Sequence, residues 1–234
     1  MEMPESGPKQ RPAWLYVLLG CGGAAGLVCL IGALAMGYCA KSVNDLNKGV
    51  TDPEVRKENA LKQLGAIPEG YTVVMSASMF VAQVTVLTDA AMLDDGGFQL
   101  EGKTHSFMYQ RVMANENNKA IREFLQGKTT DEKSALQLNL RVNPASVVKR
   151  GSLTVDGRKF AYIASRSGPE NGEPQDVLNT TVLFECPGDV LHVGVWTQMD
   201  PEPDKANEAL DLAGTVADEA ELARFLKPMN PCGR

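Results

Sequence analysis

Leu153-Thr154-Val155-Asp156-Gly157-Arg158-Lys159-Phe160 reads as a strand, a two-residue turn and a returning strand. Asp-Gly suits the two positive-φ positions of a type I′ turn, whose twist matches the strands it joins. The returning strand continues through Tyr162 and Ile163, so the middle of the chain is antiparallel β. The period of two persists on both sides. Downstream, Leu178, Thr180, Val182, Phe184 and Cys186 fall on one strand face, Pro187-Gly188 turns the chain, and Leu191, Val193 and Val195 line the next strand. Upstream, Leu136, Leu138, Leu140 and Val142 alternate and Pro144 closes that strand. Phe107, Tyr109, Arg111 and Met113 mark another. Tyr71, Val73, Met75 and Ala77 alternate with Thr72, Val74 and Ser76, and Val81 to Thr88 continues in β-branched residues. Ser167 to Asp176, polar with Gly and Pro, is expected as a flexible loop.

Helices bracket these strands. Thr51-Asp52-Pro53-Glu54 offers a Thr cap, a proline in the first turn and an acid three residues on. The helix it starts runs to Leu64 and stops at Gly65. Asn117 to Leu125 places Ala120, Ile121, Phe124 and Leu125 on one face. Near the end, one helix is expected over Ala206 to Leu212, and another from a Thr215/Asp218 cap carrying Leu222, Phe225 and Leu226. The expected fold is α+β: one domain, 51–230, with a mainly antiparallel sheet of about seven strands and flanking helices, then a short tail, 231–234. This order of helix, strands, Asp-Gly hairpin, hairpin and helix resembles PsbP/Mog1-type sandwich domains. The likeness is architectural and implies no functional residue.

A second stretch decides location. From Ala13 to Ala40 there is no Lys, Arg, Asp, Glu or His. A hydrocarbon core about 30 Å thick needs roughly 20 apolar residues, and lipid leaves a helix as the form that satisfies its own backbone. The expectation is a single-pass transmembrane helix over 13–40, between a disordered tail, 1–12, and a polar tether, 41–50. Trp14, Tyr16 and Tyr38 suit the two interfaces. Gly20, Gly22 and Ala25 fit a dinucleotide-binding turn, yet no strand–helix–strand unit follows. The run is also too long for a cleaved signal peptide, so it reads as a retained signal anchor. Gly22 and Gly26 form G-x-x-x-G, and Ala25, Cys29, Ala33 and Gly37 continue a small-residue stripe that lets two helices approach in lipid. Lys9 and Arg11 favour a cytoplasmic N-terminus, though Lys41, Lys48, Arg56 and Lys57 blunt the asymmetry. The domain is therefore expected on the extracytoplasmic side of the cell membrane.

Charge and motifs exclude more than they assign. The chain carries 23 basic and 29 acidic residues, net −6, with no Lys/Arg cluster, which argues against nucleic acid. No H-E-x-x-H, C-x-x-C or G-x-S-x-G occurs, and Asp94-Asp95-Gly96-Gly97 is a turn without the spacing of a calcium loop. His192 shares a strand face with Gly194 and Trp196, and His105 precedes Phe107. A metal site from the two histidines and a carboxylate competes there with hydrogen-bonded structural histidines. Glu69, Glu101 and Glu185 read as surface carboxylates, Ser76 and Ser78 as strand positions. Asn179-Thr180-Thr181 matches a glycosylation pattern but falls inside a strand. No catalytic residue, metal ligand or cofactor is assigned. Cys21, Cys29 and Cys39 belong to the span; Cys186 and Cys232 are the two in the soluble part. Export would permit a Cys186–Cys232 bridge, against a buried free thiol on the apolar face of Cys186. The expected function is a membrane-anchored, non-catalytic binding or accessory domain with a protein partner and possible pairing through the span. The alternative is a tethered enzyme of hydrolase type with a dispersed site.

Overall fold

The structure, a computed structural model, describes residues 49, 51–78, 82–92, 98–99, 104–113, 117–129, 142, 146–168 and 176–233. The stretch 13–40 with its stripe, the tether up to residue 48, the Asp94–Gly97 turn, Glu101 and the run Leu136–Leu140 lie outside the described residues. Among the described residues no helix is long and apolar enough to cross a membrane. All of them belong to one compact unit, Asp45–Arg234.

Helix α1 (Pro53–Leu64) leads into β1 (Thr72–Ser78) and β2 (Ala82–Thr88). A small pair, β3 (Ala91–Met92) and β4 (Phe98–Gln99), precedes β5 (His105–Val112) and α2 (Asn117–Leu125). Then come β6 (Val147–Val155), β7 (Arg158–Ser167), β8 (Val177–Phe184), β9 (Leu191–Met199) and α3 (Glu219–Leu226). Seven strands form one sheet in the order β1-β2-β5-β9-β8-β7-β6, antiparallel at every step. The fold is α+β, and the sheet has helices on both faces. One face gathers Leu87, Phe107, Tyr162, Val182, Phe184 and Trp196 beneath Leu64 of α1 and Leu222, Phe225 and Leu226 of α3. The other gathers Ala161, Ile163, Leu183, Leu191 and Val193 against Ile121, Phe124 and Leu125 of α2. Coverage on both sides explains why Phe160 to Ser165 of β7 are buried without alternation.

The Asp-Gly turn between β6 and β7 has φ 50° at Asp156 and 77° at Gly157, as a type I′ turn requires. Gly65 ends α1 with φ 81°, donating its N–H to the Leu61 carbonyl at 2.9 Å. Three expectations are corrected. Asp52, not Thr51, caps α1: its carboxylate accepts the N–H groups of Glu54 and Val55 at 3.0 and 3.3 Å. A bulge between Val73 and Met75 breaks the alternation of β1, so Ser76 opposite Thr85 returns to the face of Val73 opposite Leu87. Ser76 is fully buried there, its hydroxyl 2.8 Å from that of Thr85, which in turn donates to Gln63 Oε1 at 2.8 Å. Finally, Ala206 to Leu212 is not a helix; a single 3₁₀ turn, Asn207–Ala209, stands in its place.

Arg166 organises the segment just before that turn. Its guanidinium meets Asp200 Oδ2 at 2.6 Å and donates to the carbonyls of Glu202, Pro203 and Lys205 at 3.0, 2.7 and 2.5 Å. The Glu202 carbonyl also accepts the Lys205 N–H at 3.1 Å, so the segment before Ala206 is held as a turn around the guanidinium.

Candidate functional site

An open cleft of about 1070 Å³ lies between the loop after α1, residues of β5 and β9, and α3 with the segment that follows it. The loop after α1 supplies Ile67, Pro68, Glu69 and Tyr71 on one side. Asp89, just past β2, His105 and Trp196 come from the sheet, while Glu221, Arg224, Phe225, Lys227 and Pro228 close the other side.

Two polar pairs are built into it. Asp89 grips His105 twice, its carboxylate accepting the His105 backbone N–H at 2.5 Å and lying 2.6 Å from ring Nδ1. The carboxylate thereby fixes the orientation of the imidazole ring. Sixteen residues separate the two, and Thr88 reinforces the join by donating its hydroxyl to the His105 carbonyl at 2.9 Å. The second pair is Trp196 Nε1 donating to the Tyr71 hydroxyl at 2.9 Å. Burial, opposed by the indole hydrogen bond and aided by the charge of Asp89, pushes the Tyr71 pKa upward. The phenol therefore keeps its proton as a donor at neutral pH.

Aromatic packing fixes the floor. Trp196 stacks on Phe225, centroids 4.2 Å apart and planes within 7°. Tyr71 meets the same Phe225 ring at 5.0 Å, and His105 lies 5.7 Å from Trp196. These contacts set Tyr71 and His105 against an aromatic base. The rim is mixed in charge: Glu69 and Asp156 against Lys227, with Arg224 paired to Glu221. The chemistry on offer is one imidazole buttressed by a carboxylate, one phenolic donor and an aromatic floor.

The other candidates from the sequence lie apart. His192 is not near His105; it sits opposite Arg111 on β5, whereas His105 sits opposite Gln198. Its Nδ1 is 2.7 Å from the buried Tyr109 hydroxyl. Burial first, then the charges of Arg111 and Arg122, lower its pKa to about 4, which makes it a neutral core residue. Among the described residues no group of three or more His, Cys, Asp or Glu is placed to hold a metal ion. Glu69 reaches the cleft rim, while Glu185 accepts from Gln126 at 3.1 Å on another surface. Asn179 is engaged with Ser167 and Thr197, both at 2.7 Å, within the sheet. Cys186 is bonded to Cys232, with 5.2 Å between their α-carbons.

Sequence reading passed over Asp89, Tyr71, Trp196 and Phe225 as a set. No local spacing joins them; the pairing of β1 with β2, of β2 with β5 and of β5 with β9, and the packing of α3 on that sheet, do. The one signal available was an acid just past β2 and a histidine at the start of β5. No family model matches the chain, and neither does any curated protein or solved structure.

Proposed function

We propose that this chain is a single-pass membrane protein whose extracytoplasmic α+β domain binds its ligand or partner in the cleft around Asp89, His105, Tyr71 and Trp196. The observation that carries the reading is the cleft itself. It offers fixed hydrogen-bonding groups on an aromatic floor, the usual make-up of a binding site. The anchor is the uncharged stretch 13–40, with the bilayer as one partner and pairing through the Gly22/Gly26 stripe as a further contact. The Cys186–Cys232 bond supports an oxidising compartment for the domain. Helices on both faces of an antiparallel sheet support the PsbP/Mog1-type likeness.

A second reading rests on the Asp89–His105 pair. A histidine oriented by a carboxylate inside a cleft is the equipment of a general base, so the tethered hydrolase remains the alternative. One protein preparation separates the two. The chain has two tryptophans, Trp14 and Trp196, so Trp14→Phe leaves Trp196 as the sole indole. Detergent-solubilised full-length Trp14→Phe protein is titrated with a panel of acidic, basic and neutral small molecules and short peptides. Binding is expected to change the Trp196 emission, and His105→Ala to weaken it at least tenfold. A saturable change that His105→Ala leaves intact would place the ligand elsewhere. Turnover of a bound ester or amide, abolished by His105→Ala, would favour the enzyme. A reporter active only in the periplasm or only in the cytoplasm, fused after residue 234, tests the orientation.

A further inference from the structure

We propose that the Cys186–Cys232 bond is a reducible latch on the cleft, opened by a dithiol reductant. The proposal rests on the cleft being the binding site and concerns how that site is held in shape.

Both ends of the cleft are tied to the C-terminal segment. Lys227 and Pro228 form part of its wall, Met229 is wholly buried in the core, and the Asn230 N–H donates to the Leu64 carbonyl at 2.6 Å. Leu64 ends α1, and Gly65 packs against Asn230, with 3.3 Å left between the Asn230 backbone and a Cβ built on the glycine. From there the chain runs directly into Ile67, Pro68 and Glu69, the opposite wall. Asn230 is thus the joint between the two walls, and Cys232 lies two residues beyond it. Past the joint, among the described residues, the disulfide, the packing of Cys232 against the core and a backbone bond from Gly233 N–H to Asn230 O hold the terminus. A chain end whose one covalent tie is removed loosens more readily than the sheet it packs on.

The bond can be reached from one side. Cys186 is 6% exposed. Cys232 is more exposed and lines a groove of about 320 Å³ with Arg158, Lys159, Glu185, Pro187 and Pro231. An incoming thiolate bonds to Cys232 Sγ as the Sγ–Sγ bond breaks; the electron pair leaves with Cys186, which takes up a proton. With a monothiol the adjacent Cys186 attacks that mixed disulfide back faster than a second thiol molecule arrives, and the bond is restored. A dithiol instead uses its second thiolate to attack the mixed disulfide. Cys232 is released as a thiol and the reductant's own disulfide closes. Two electrons and two protons pass to the protein.

The test uses full-length Trp14→Phe protein in detergent, treated with dithiothreitol or, at equal thiol concentration, with glutathione. Dithiothreitol is expected to yield two titratable thiols at 186 and 232. Hydrogen exchange should then quicken at least tenfold in residues 64–71 and 225–233 while β5, β8 and β9 keep their protection. Trp196 emission should shift to the red. The double variant Cys186→Ser/Cys232→Ser should reproduce that pattern, and glutathione should not. Unchanged exchange in 64–71 after full reduction overturns the latch, and so does protection lost across the whole sheet. If a compound from the panel binds both redox forms equally, the latch falls and the cleft reading stands. If the exchange pattern appears but no compound binds either form, the covalent tie between the walls stands, and its role as a latch on a binding site falls with the cleft reading.

Discussion

Thr180 and Thr181 are wholly buried on opposite faces of β8, and neither hydroxyl has a hydrogen-bond partner among the described residues. A buried unpaired hydroxyl costs free energy that a methyl of the same shape does not. Thr180→Val and Thr181→Val are each expected to raise stability by about 1 kcal/mol, seen as a higher urea midpoint at unchanged slope. Pointing to opposite cores, they should add. A lower midpoint for either would mean that its hydroxyl has a partner. His192 gives the pH-dependent case. Its folded pKa of about 4 lies below the ordinary 6.5, so the unfolded chain binds the extra proton first. The stability this creates is complete above pH 6.5 and is lost as pH falls towards 4. His192→Asn retains a polar atom near Tyr109 without titrating, and should flatten the stability curve across that window. An unaltered acid limb would remove His192 from the account.

At the scale of elements, local chemistry was legible wherever the deciding contacts were local. Asp156-Gly157 fixed a turn, Gly65 a helix end, and Asn117 to Leu125 a helix, because each signal acts within a few residues. The bulge in β1 was not legible, since Val73, Met75 and Ala77 alternate as well with it as without it. What moves Ser76 inward is its bond to Thr85 and, through Thr85, to Gln63 of α1. The segment after β9 was misread for a similar reason. Ala206 to Leu212 has helical composition, but a residue forty positions earlier, Arg166, holds the carbonyls before it. Asp200 is nearly wholly buried against that guanidinium. Arg166→Ala should therefore cost about 3–5 kcal/mol, the range for leaving one member of a buried pair alone. Arg166→Lys restores the charge but not the fork that reaches three carbonyls. It should recover part of the stability while exchange in 202–209 stays fast. Full recovery of that protection by lysine would reduce Arg166 to a simple ion pair.

For the whole molecule, the alternating runs foretold a sheet and roughly its size, but not its order. The step from β5 to β6 carries the chain from the middle of the sheet to its far edge. That long-range choice returns β9 to the side of β5 and so brings Trp196 to the Asp89–His105 pair, and the cleft was hidden along with the topology. The same order splits the interior into two cores with the sheet between them, and this division can be tested. Phe225 is packed in the core under α1 and α3, where it stacks on Trp196; Phe124 is fully buried in the core under α2. Phe225→Ala and Phe124→Ala should each destabilise the protein by about 3–5 kcal/mol, the usual cost of emptying such a site. Only Phe225→Ala should also shift the Trp196 emission and weaken ligand binding in the folded protein, because the sheet separates Phe124 from the cleft. Equal shifts from both substitutions, measured well below either unfolding midpoint, would mean that the sheet transmits strain between its faces and that the cleft answers to the packing of α2.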